Sequence, residues 1–260
     1  TKPKILLIDI ETLPIEALVW SIWQDNVNLD MVIEDWSVLG WCAKWYGDSE
    51  DKIYYADVRN EKNLRNDKNV LKQIWKLLDE ADIVVGHNSD SFDIKKLNAR
   101  FLKHGMKPPS SYKRMDTKKI AKKHFNFTSN KLSHLTEKFC VKYKKLKHSK
   151  FPGISMWLEC LKRNLAAFDC MEEYNKYDVL SLEELFTVFL PFESATLFNL
   201  YNENDEMTCT CGSTKFKKNG FYYTNSSKFQ KYSCMSCGAE ARDSKNLIPK
   251  SKKKLKGTTR

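Results

Sequence analysis

The chain opens on an almost unbroken apolar run. Residues 4–10, KILLIDI, place Ile and Leu on both alternating faces, which predicts a strand buried on both sides. Two more strand-like runs follow, 37–46 (SVLGWCAKWY) and 52–58 (KIYYADV), with Gly47-Asp48-Ser49 between them as a turn that pairs them. The period then changes. Val70, Leu71, Ile74, Leu77 and Leu78 recur at helical spacing over 67–81, with Asp67 placed as an N-cap. A second buried strand is expected over 83–86. A helix should start at about Ser91, with Phe92, Ile94, Leu97 and Phe101 inward, and stop near Gly105. Residues 108–130 predict a Pro-Pro turn, a short strand near Met115 and a basic helix. Residues 132–139 read as helix, 143–153 as a lysine-rich loop ending in Pro-Gly, and 164–189 as a long amphipathic helix. Strands alternating with helices, with helices dominating later, predict an α/β domain around a central mixed sheet. No internal repeat is visible.

Composition sharpens this picture. A chain of 260 residues that is 42% hydrophobic has room for one substantial domain and a small one. No apolar run approaches the ~20 residues that span a bilayer. The start, Thr-Lys-Pro-Lys, lacks the apolar stretch of a signal peptide. A soluble, cytoplasmic protein with no membrane partner is the expectation. The net charge of +11 is unevenly placed. Lys and Arg against Asp and Glu number 15 against 18 over 1–112, 13 against 2 over 113–150, 3 against 11 over 151–206, and 13 against 2 over 207–260. Two basic blocks flanking an acidic one suit a polyanionic partner, because each neutralised phosphate releases counterions. A solvated lysine surface is the competing reading.

The candidate chemistry lies in three short motifs. Asp9-Ile10-Glu11 closes the first strand, and alternation puts both carboxylates on one face. Gly86-His87-Asn88-Ser89-Asp90-Ser91-Phe92-Asp93 lies where a buried strand gives way to a helix. Tyr174-Asn175-Lys176-Tyr177-Asp178 lies on the long helix, where positions i and i+4 share a face. An acid at 178 beside Met171, Leu182 and Leu185 is costly to bury without a partner.

Asp-Ile-Glu-Thr, Asn-x-x-x-Phe-Asp and Tyr-x-x-x-Asp, in this order, resemble the three exonuclease motifs of the DEDD superfamily. Tyrosine four residues before the last aspartate, with Glu173 where the histidine subclass has His, is similar to its tyrosine (DEDDy) subclass and to the proofreading domains of family B DNA polymerases. The arrangement looks most like small stand-alone phage-encoded exonucleases, which places it in the host cytoplasm. The resemblance spans about 1–190. It implies a ribonuclease H-like α/β fold and a 3′→5′ exonuclease acting on DNA, single-stranded by preference, that releases nucleoside monophosphates. It also implies two Mg²⁺ or Mn²⁺ ions on Asp9, Glu11, Asp93 and Asp178, hard cations on carboxylate oxygens. Asp9 would bridge both ions, Glu11 and Asp178 would serve one, and Asp93 the other. Tyr174 would orient the water, since a tyrosine of pKa near ~10 is a poor base at neutral pH. Asp93, rather than Asp90, follows Asn88-x-x-x-Phe92. Thr12, Asn88 and Phe92 are candidate contacts to the terminal nucleotide, with packing an equal reading for Asn88 and Phe92. His87 reads as a fold or substrate contact and Asp116 as structural.

Of eight cysteines, Cys42, Cys140, Cys160 and Cys170 are scattered and read as buried thiols in a reduced compartment. Cys209-x-Cys211 and Cys234-x-x-Cys237 flank the aromatic, basic stretches KFKKNGFYY and KFQKYSC. This looks like a zinc ribbon with one structural Zn²⁺ on four thiolates, although the first pair departs from Cys-x-x-Cys. Lys215, Phe216, Lys217, Lys218, Phe221, Tyr222 and Tyr223 suit single-stranded nucleic acid, and docking of a replication or repair protein competes.

The expected organisation is an exonuclease domain over 1–193, a linker over 194–206, the zinc ribbon over 207–244 and a basic, disordered tail over 245–260. The expected partner is a single-stranded DNA 3′ end. An RNA exonuclease of the same chemistry, a structure-specific endonuclease and a non-catalytic nucleic-acid binding module remain alternatives.

Overall fold

The computed structural model describes residues 3–23, 26–144, 150–193, 206–209 and 211–249. Residues 145–149 of the expected loop, 194–205 of the expected linker and the tail from 250 lie outside them. The chain divides into two compact units, one over Lys4–Phe186 and one from Thr187 onward together with the first three residues.

The larger unit is built on β1 (Ile5–Leu13), β2 (Glu16–Ala17), β3 (Val32–Glu34), β4 (Ser37–Trp45), β5 (Ile53–Asp57), α1 (Lys68–Glu80), β6 (Ile83–Gly86), α2 (Asp93–Lys103), β7 (Lys113–Asp116), α3 (Thr117–His124), α4 (Leu132–Phe139), α5 (Ser155–Leu161) and the start of α6 (Leu165–Phe189). Five strands form one mixed sheet in the order β5-β4-β1-β6-β7. β1 and β4 pair antiparallel, as do β4 and β5, whereas β1, β6 and β7 run parallel. The apolar run of β1 is thus explained: β1 is central, and Ile5–Ile8 are buried. Leu6, Ile8 and Ile10 join a core that includes Leu71, Ile74 and Leu78 of α1, Ile94, Leu97 and Phe101 of α2, and Phe168 and Met171 of α6. α6 is further tied to the sheet by a buried lysine. Lys44 of β4 donates to both Glu183 carboxylate oxygens, at 2.9 and 2.7 Å, and to the Asp48 carbonyl at 2.6 Å.

Several local expectations need correction. β1 runs on to Leu13, so Asp9 and Glu11 lie within the strand, and its register with β4 shifts between Glu11 and Thr12. The bulge arises one residue past the second acid. Asp67 occupies the N-cap position of α1, but its side chain makes no capping bond. The carboxylate is wholly buried and accepts instead from Val38 N, Arg100 Nε, Arg100 Nη2 and His104 Nε2. A buried guanidinium outcompetes a helix end for a charged acceptor. The helix expected from Ser91 begins at Asp93. The hairpin of β2 and β3 and the short helix α5 carry too few periodic residues to be read from the chain.

Beyond Phe186, β8 (Phe216–Thr224), β9 (Ser227–Cys234) and β10 (Glu240–Asn246) form an antiparallel sheet in the order β10-β9-β8. Its buried centre is little more than Cys209, Cys234 and Ala239, with Phe216 and Cys237 packed on them. A core this small calls for a covalent or metal staple. Among the described residues, no helix is long and apolar enough to cross a membrane.

Candidate active site

The parallel half of the sheet puts the C-terminal ends of β1 and β6 side by side, and the motif acids gather there. Gly86 ends β6 under a tight constraint. A Cβ at this position would lie 2.4 Å from Ser89 Cβ, so only glycine lets the chain turn directly into the next segment. Asn88 takes up the turn at φ +64°, a conformation Asn tolerates better than most residues. α2 then starts at Asp93. Its carboxylate accepts the Ile10 backbone N–H at 3.1 Å, which fixes the second motif against the first. The third motif arrives on α6, where buried Asn175 donates from Nδ2 to Asp9 Oδ2.

The four acids interact strongly. Burial raises the Asp9 carboxyl well above the usual carboxylate range, and Asp93, Asp178 and Glu11 raise it further against the opposing bond from Asn175. Burial, then Asp178 and Asp93, push Glu11 up to about 8, while a hydrogen bond from Trp157 opposes the rise. Burial takes Asp93 to about 7, against the backbone N–H bonds it accepts. Asp178 is taken by burial to about 6, against the bond from Tyr174. Tyr174 is itself raised above its ordinary value, by burial first and then by Asp178, Glu11 and Asp9. It therefore stays protonated near neutral pH and donates to Asp178. Among the described residues no Lys or Arg pairs with any of the four acids.

This donor set has the chemistry that divalent cations take, although among the described residues no three of these carboxylates bring oxygens within 4.8 Å of one another. It is all oxygen, anionic and, among the described residues, without a cationic side chain, which is what Mg²⁺ or Mn²⁺ takes and what a half-buried acid cluster otherwise holds ionised only at a cost. Thr12 lies just past the bulge on β1. Asn88 is engaged elsewhere: its backbone N–H donates to Asp116 Oδ1 at 2.9 Å and its side-chain oxygen accepts from Lys118 Nζ at 3.2 Å. Phe92 stays partly exposed under Lys96 Nζ, 5.0 Å from the ring centroid. No bond joins Thr12, Asn88 or Phe92 to the four acids. His87 is held between Thr117 Oγ1 and the Asn130 carbonyl, each at 2.9 Å, and burial lowers its pKa. It is a tie between loops. The Asp116 carboxylate takes backbone N–H groups from Asn88, Asp90, Lys118 and Lys119, capping α3 and bracing the β6–α2 turn.

Two residues escaped the reading of the motifs. Trp157 of α5 lies close enough to Glu11 to oppose the rise of its pKa, and nothing in its local sequence points there. Asn175 lay in view beside Tyr174, and its burial was legible only as a polar residue on a largely apolar helix.

In the ribbon, the donor atoms of Cys209, Cys211, Cys234 and Cys237 all lie within 4.8 Å of one another, the one group of three or more His, Cys, Asp or Glu donors so gathered among the described residues. Cys209 Sγ and Cys237 Sγ are 3.5 Å apart, and Cys211 Sγ and Cys234 Sγ 3.7 Å. Four sulfurs at ~2.3 Å from a tetrahedral Zn²⁺ would stand roughly 3.8 Å from each other, whereas a disulfide needs about 2.05 Å. The Ser236 backbone N–H points at Cys234 Sγ, at 3.4 Å, as it would toward a thiolate.

A family model described as the RNase H superfamily matches residues 39–190, which include Asp93, Tyr174 and Asp178 and begin after Asp9 and Glu11. No curated protein matches the chain. Among solved structures, the chain is similar to the family B DNA polymerase from the hyperthermophilic archaeon Pyrobaculum calidifontis, at 15% identity and a TM-score of 0.49. That similarity covers 74% of this chain, which spans only 26% of the polymerase. With the matched model covering more than half of its residues, the chain belongs to the RNase H superfamily.

Proposed function

We propose that the chain is a 3′→5′ exonuclease that hydrolyses DNA, single-stranded by preference, and releases nucleoside monophosphates. The observation that carries this reading is the cluster of Asp9, Glu11, Asp93 and Asp178, mutually repelling and, among the described residues, without a basic partner, with protonated Tyr174 bonded to Asp178. The four carboxylates would hold two Mg²⁺ or Mn²⁺ ions. When bound, these ions polarise the phosphodiester and activate water. The rest is the work of the chain. Asn175, Trp157 and the Ile10 N–H hold Asp9, Glu11 and Asp93 in place before substrate arrives. Tyr174 keeps its proton, so its part is to position Asp178 and the attacking water, not to take a proton from it. Thr12 and Phe92 would face the terminal nucleotide; the expected contact from Asn88 would need its side chain to leave Lys118, and its part as the structure stands is to brace the β6–α2 turn.

The exonuclease domain would span 1–193 and the linker 194–206; the ribbon would begin at 207 and run through the end of β10 at Asn246, two residues past the expected 244, with the basic tail after it. The ribbon would hold one structural Zn²⁺ on its four cysteines. It would also bind the strand upstream of the cleaved end. Exposed Phe221 and Tyr223 share a strand face with Lys228, whose Nζ lies 3.7 Å from the Phe221 centroid. Aromatic faces with interleaved cations suit stacked bases and phosphates.

The test is Mg²⁺-dependent digestion of 5′-labelled single- and double-stranded DNA and RNA, with Asp9→Ala alongside. The expected result is a descending ladder on single-stranded DNA that both chelator and the substitution abolish. Full activity of Asp9→Ala would sink the reading. Cleavage of a closed circular single strand would replace it with an endonuclease, and a requirement for the 2′-OH with an RNA exonuclease.

A further inference from the structure

Between β1 and β4 the chain leaves the sheet as an arm. β2 pairs with β3, and Leu18 N donates to the Met31 carbonyl at 2.9 Å, so residues 14–18 and 31–36 form a narrow two-stranded ribbon. The root is fastened. Arg65 Nη1 donates to the carbonyls of Pro14 at 2.8 Å and Asp35 at 2.7 Å, one on each side of the ribbon. Trp36 is overlaid there by Lys96 Nζ, 3.8 Å from its centroid.

The tip is the reverse of what a protein surface offers to water. Trp20 is 95% exposed, Leu29 89%, Ile22 86% and Trp23 84%, with Leu18 at 67%. The two indoles alone present on the order of 400 Å². That already rivals the largest apolar patch of an ordinary monomer, about 300–600 Å². Adding Leu18, Ile22 and Leu29 carries the patch toward the roughly 800 Å² that each partner commits to a standard protein interface. A two-stranded ribbon is also marginal by itself in water, so a covered tip is the stable arrangement.

Charge selects what covers it. The sequence 14–36 contains five acids, Glu16, Asp25, Asp30, Glu34 and Asp35, and no Lys, Arg or His; Glu16 is paired at the root with Arg65 Nη2 at 3.6 Å, and the arm stays net acidic in a chain whose net charge is +11. Phosphates are repelled from such a rim, so the indoles are ill placed to stack on a nucleic-acid strand. Two arms face to face would set one net acidic stretch against another. A protein surface with an apolar cleft bordered by Lys and Arg satisfies both the patch and its rim.

We propose that this arm is a docking element for a partner protein, inserting Trp20, Ile22, Trp23 and Leu29 into an apolar cleft with a basic border. The proposal is independent of the nuclease reading, because the arm lies outside the carboxylate cluster.

The probe is a phage-displayed library of random dodecapeptides panned on the full chain. Selected peptides are then compared on the Trp20→Ser/Trp23→Ser variant. Both side chains are exposed, so the variant should keep its circular dichroism spectrum and its nuclease activity. The expected peptides combine aromatic or aliphatic residues with Lys or Arg, bind the variant more than about tenfold more weakly, and weaken further at raised salt. Failure to enrich any peptide overturns the proposal, as do acidic or uncharged peptides and peptides that bind the variant equally well. A chain that self-associates in sedimentation equilibrium, with the variant monomeric, makes a second copy the occupant instead. An oligothymidylate affinity that falls in the variant makes it a nucleic-acid strand.

Discussion

Replacing Asp67 with asparagine should cost the larger unit a substantial fraction of its stability. The side chain is wholly buried and accepts four hydrogen bonds, from Val38 N at 2.8 Å, Arg100 Nε at 2.6 Å, Arg100 Nη2 at 2.7 Å and His104 Nε2 at 2.7 Å. Asparagine keeps the shape but has one acceptor oxygen and no charge. Its amide would face donors, and the buried Arg100 guanidinium would lose its counter-charge. Breaking a buried pair from one side costs about 3–5 kcal/mol. For a domain of this size that lowers Tm by roughly 6–20 °C. All seven tryptophans lie between residues 20 and 157, so urea unfolding followed by tryptophan fluorescence reports this unit and not the ribbon. Arg100→Met should cost a comparable amount, and the double variant should recover much of the loss, since it leaves no uncompensated charge. The reach extends to function. Arg100 sits near the end of the helix whose first residue is Asp93, so kcat should fall even where the variant is fully folded. A loss below about 1 kcal/mol, or additive single and double variants, would refute the reasoning.

Asn175→Leu removes the donor to Asp9 but also a buried side-chain oxygen that has no partner. Stability should change by no more than about 1 kcal/mol, while Mn²⁺ affinity by calorimetry should fall about tenfold or more; unchanged affinity counts against a positioning role. The metal-free chain should lose stability as pH rises from about 4 to 8. Burial holds Glu11 at about 8, Asp93 at about 7 and Asp178 at about 6 in the folded state, above unfolded values near 4. The native chain thus keeps protons that the unfolded chain has released, and each extra proton costs about 1.4 kcal/mol per pH unit. Saturating Mg²⁺ should flatten that slope, and a metal-free stability that rises across this window would contradict it. Cys234→Ser should take bound zinc from one per chain to none and strip amide protection from β8, β9 and β10, leaving the tryptophan-detected unfolding unchanged; retained zinc would refute the four-thiolate site.

Some of this was legible residue by residue. A strand buried on both faces shows as KILLIDI, because its period is erased when both sides meet core. The third motif shows as Tyr174 and Asp178 one helical turn apart, and α6 as a run of helical period. The cysteines show by spacing. Each of these signals is carried by neighbours within a few positions, and covalent geometry links them directly to conformation.

What the sequence determined alone was therefore the α/β alternation and the types of side chain available for chemistry. Only the tertiary structure decided which groups meet. It turned Asp67 from a helix cap into the acceptor for Arg100 and His104, brought Trp157 to Glu11 and Asn175 to Asp9, and left Trp20, Ile22, Trp23 and Leu29 outside the core. Those pairings join residues tens to more than a hundred positions apart. The reason is physical: a buried charge or amide takes whichever partner the packed core places within hydrogen-bond reach, and no local period encodes that choice.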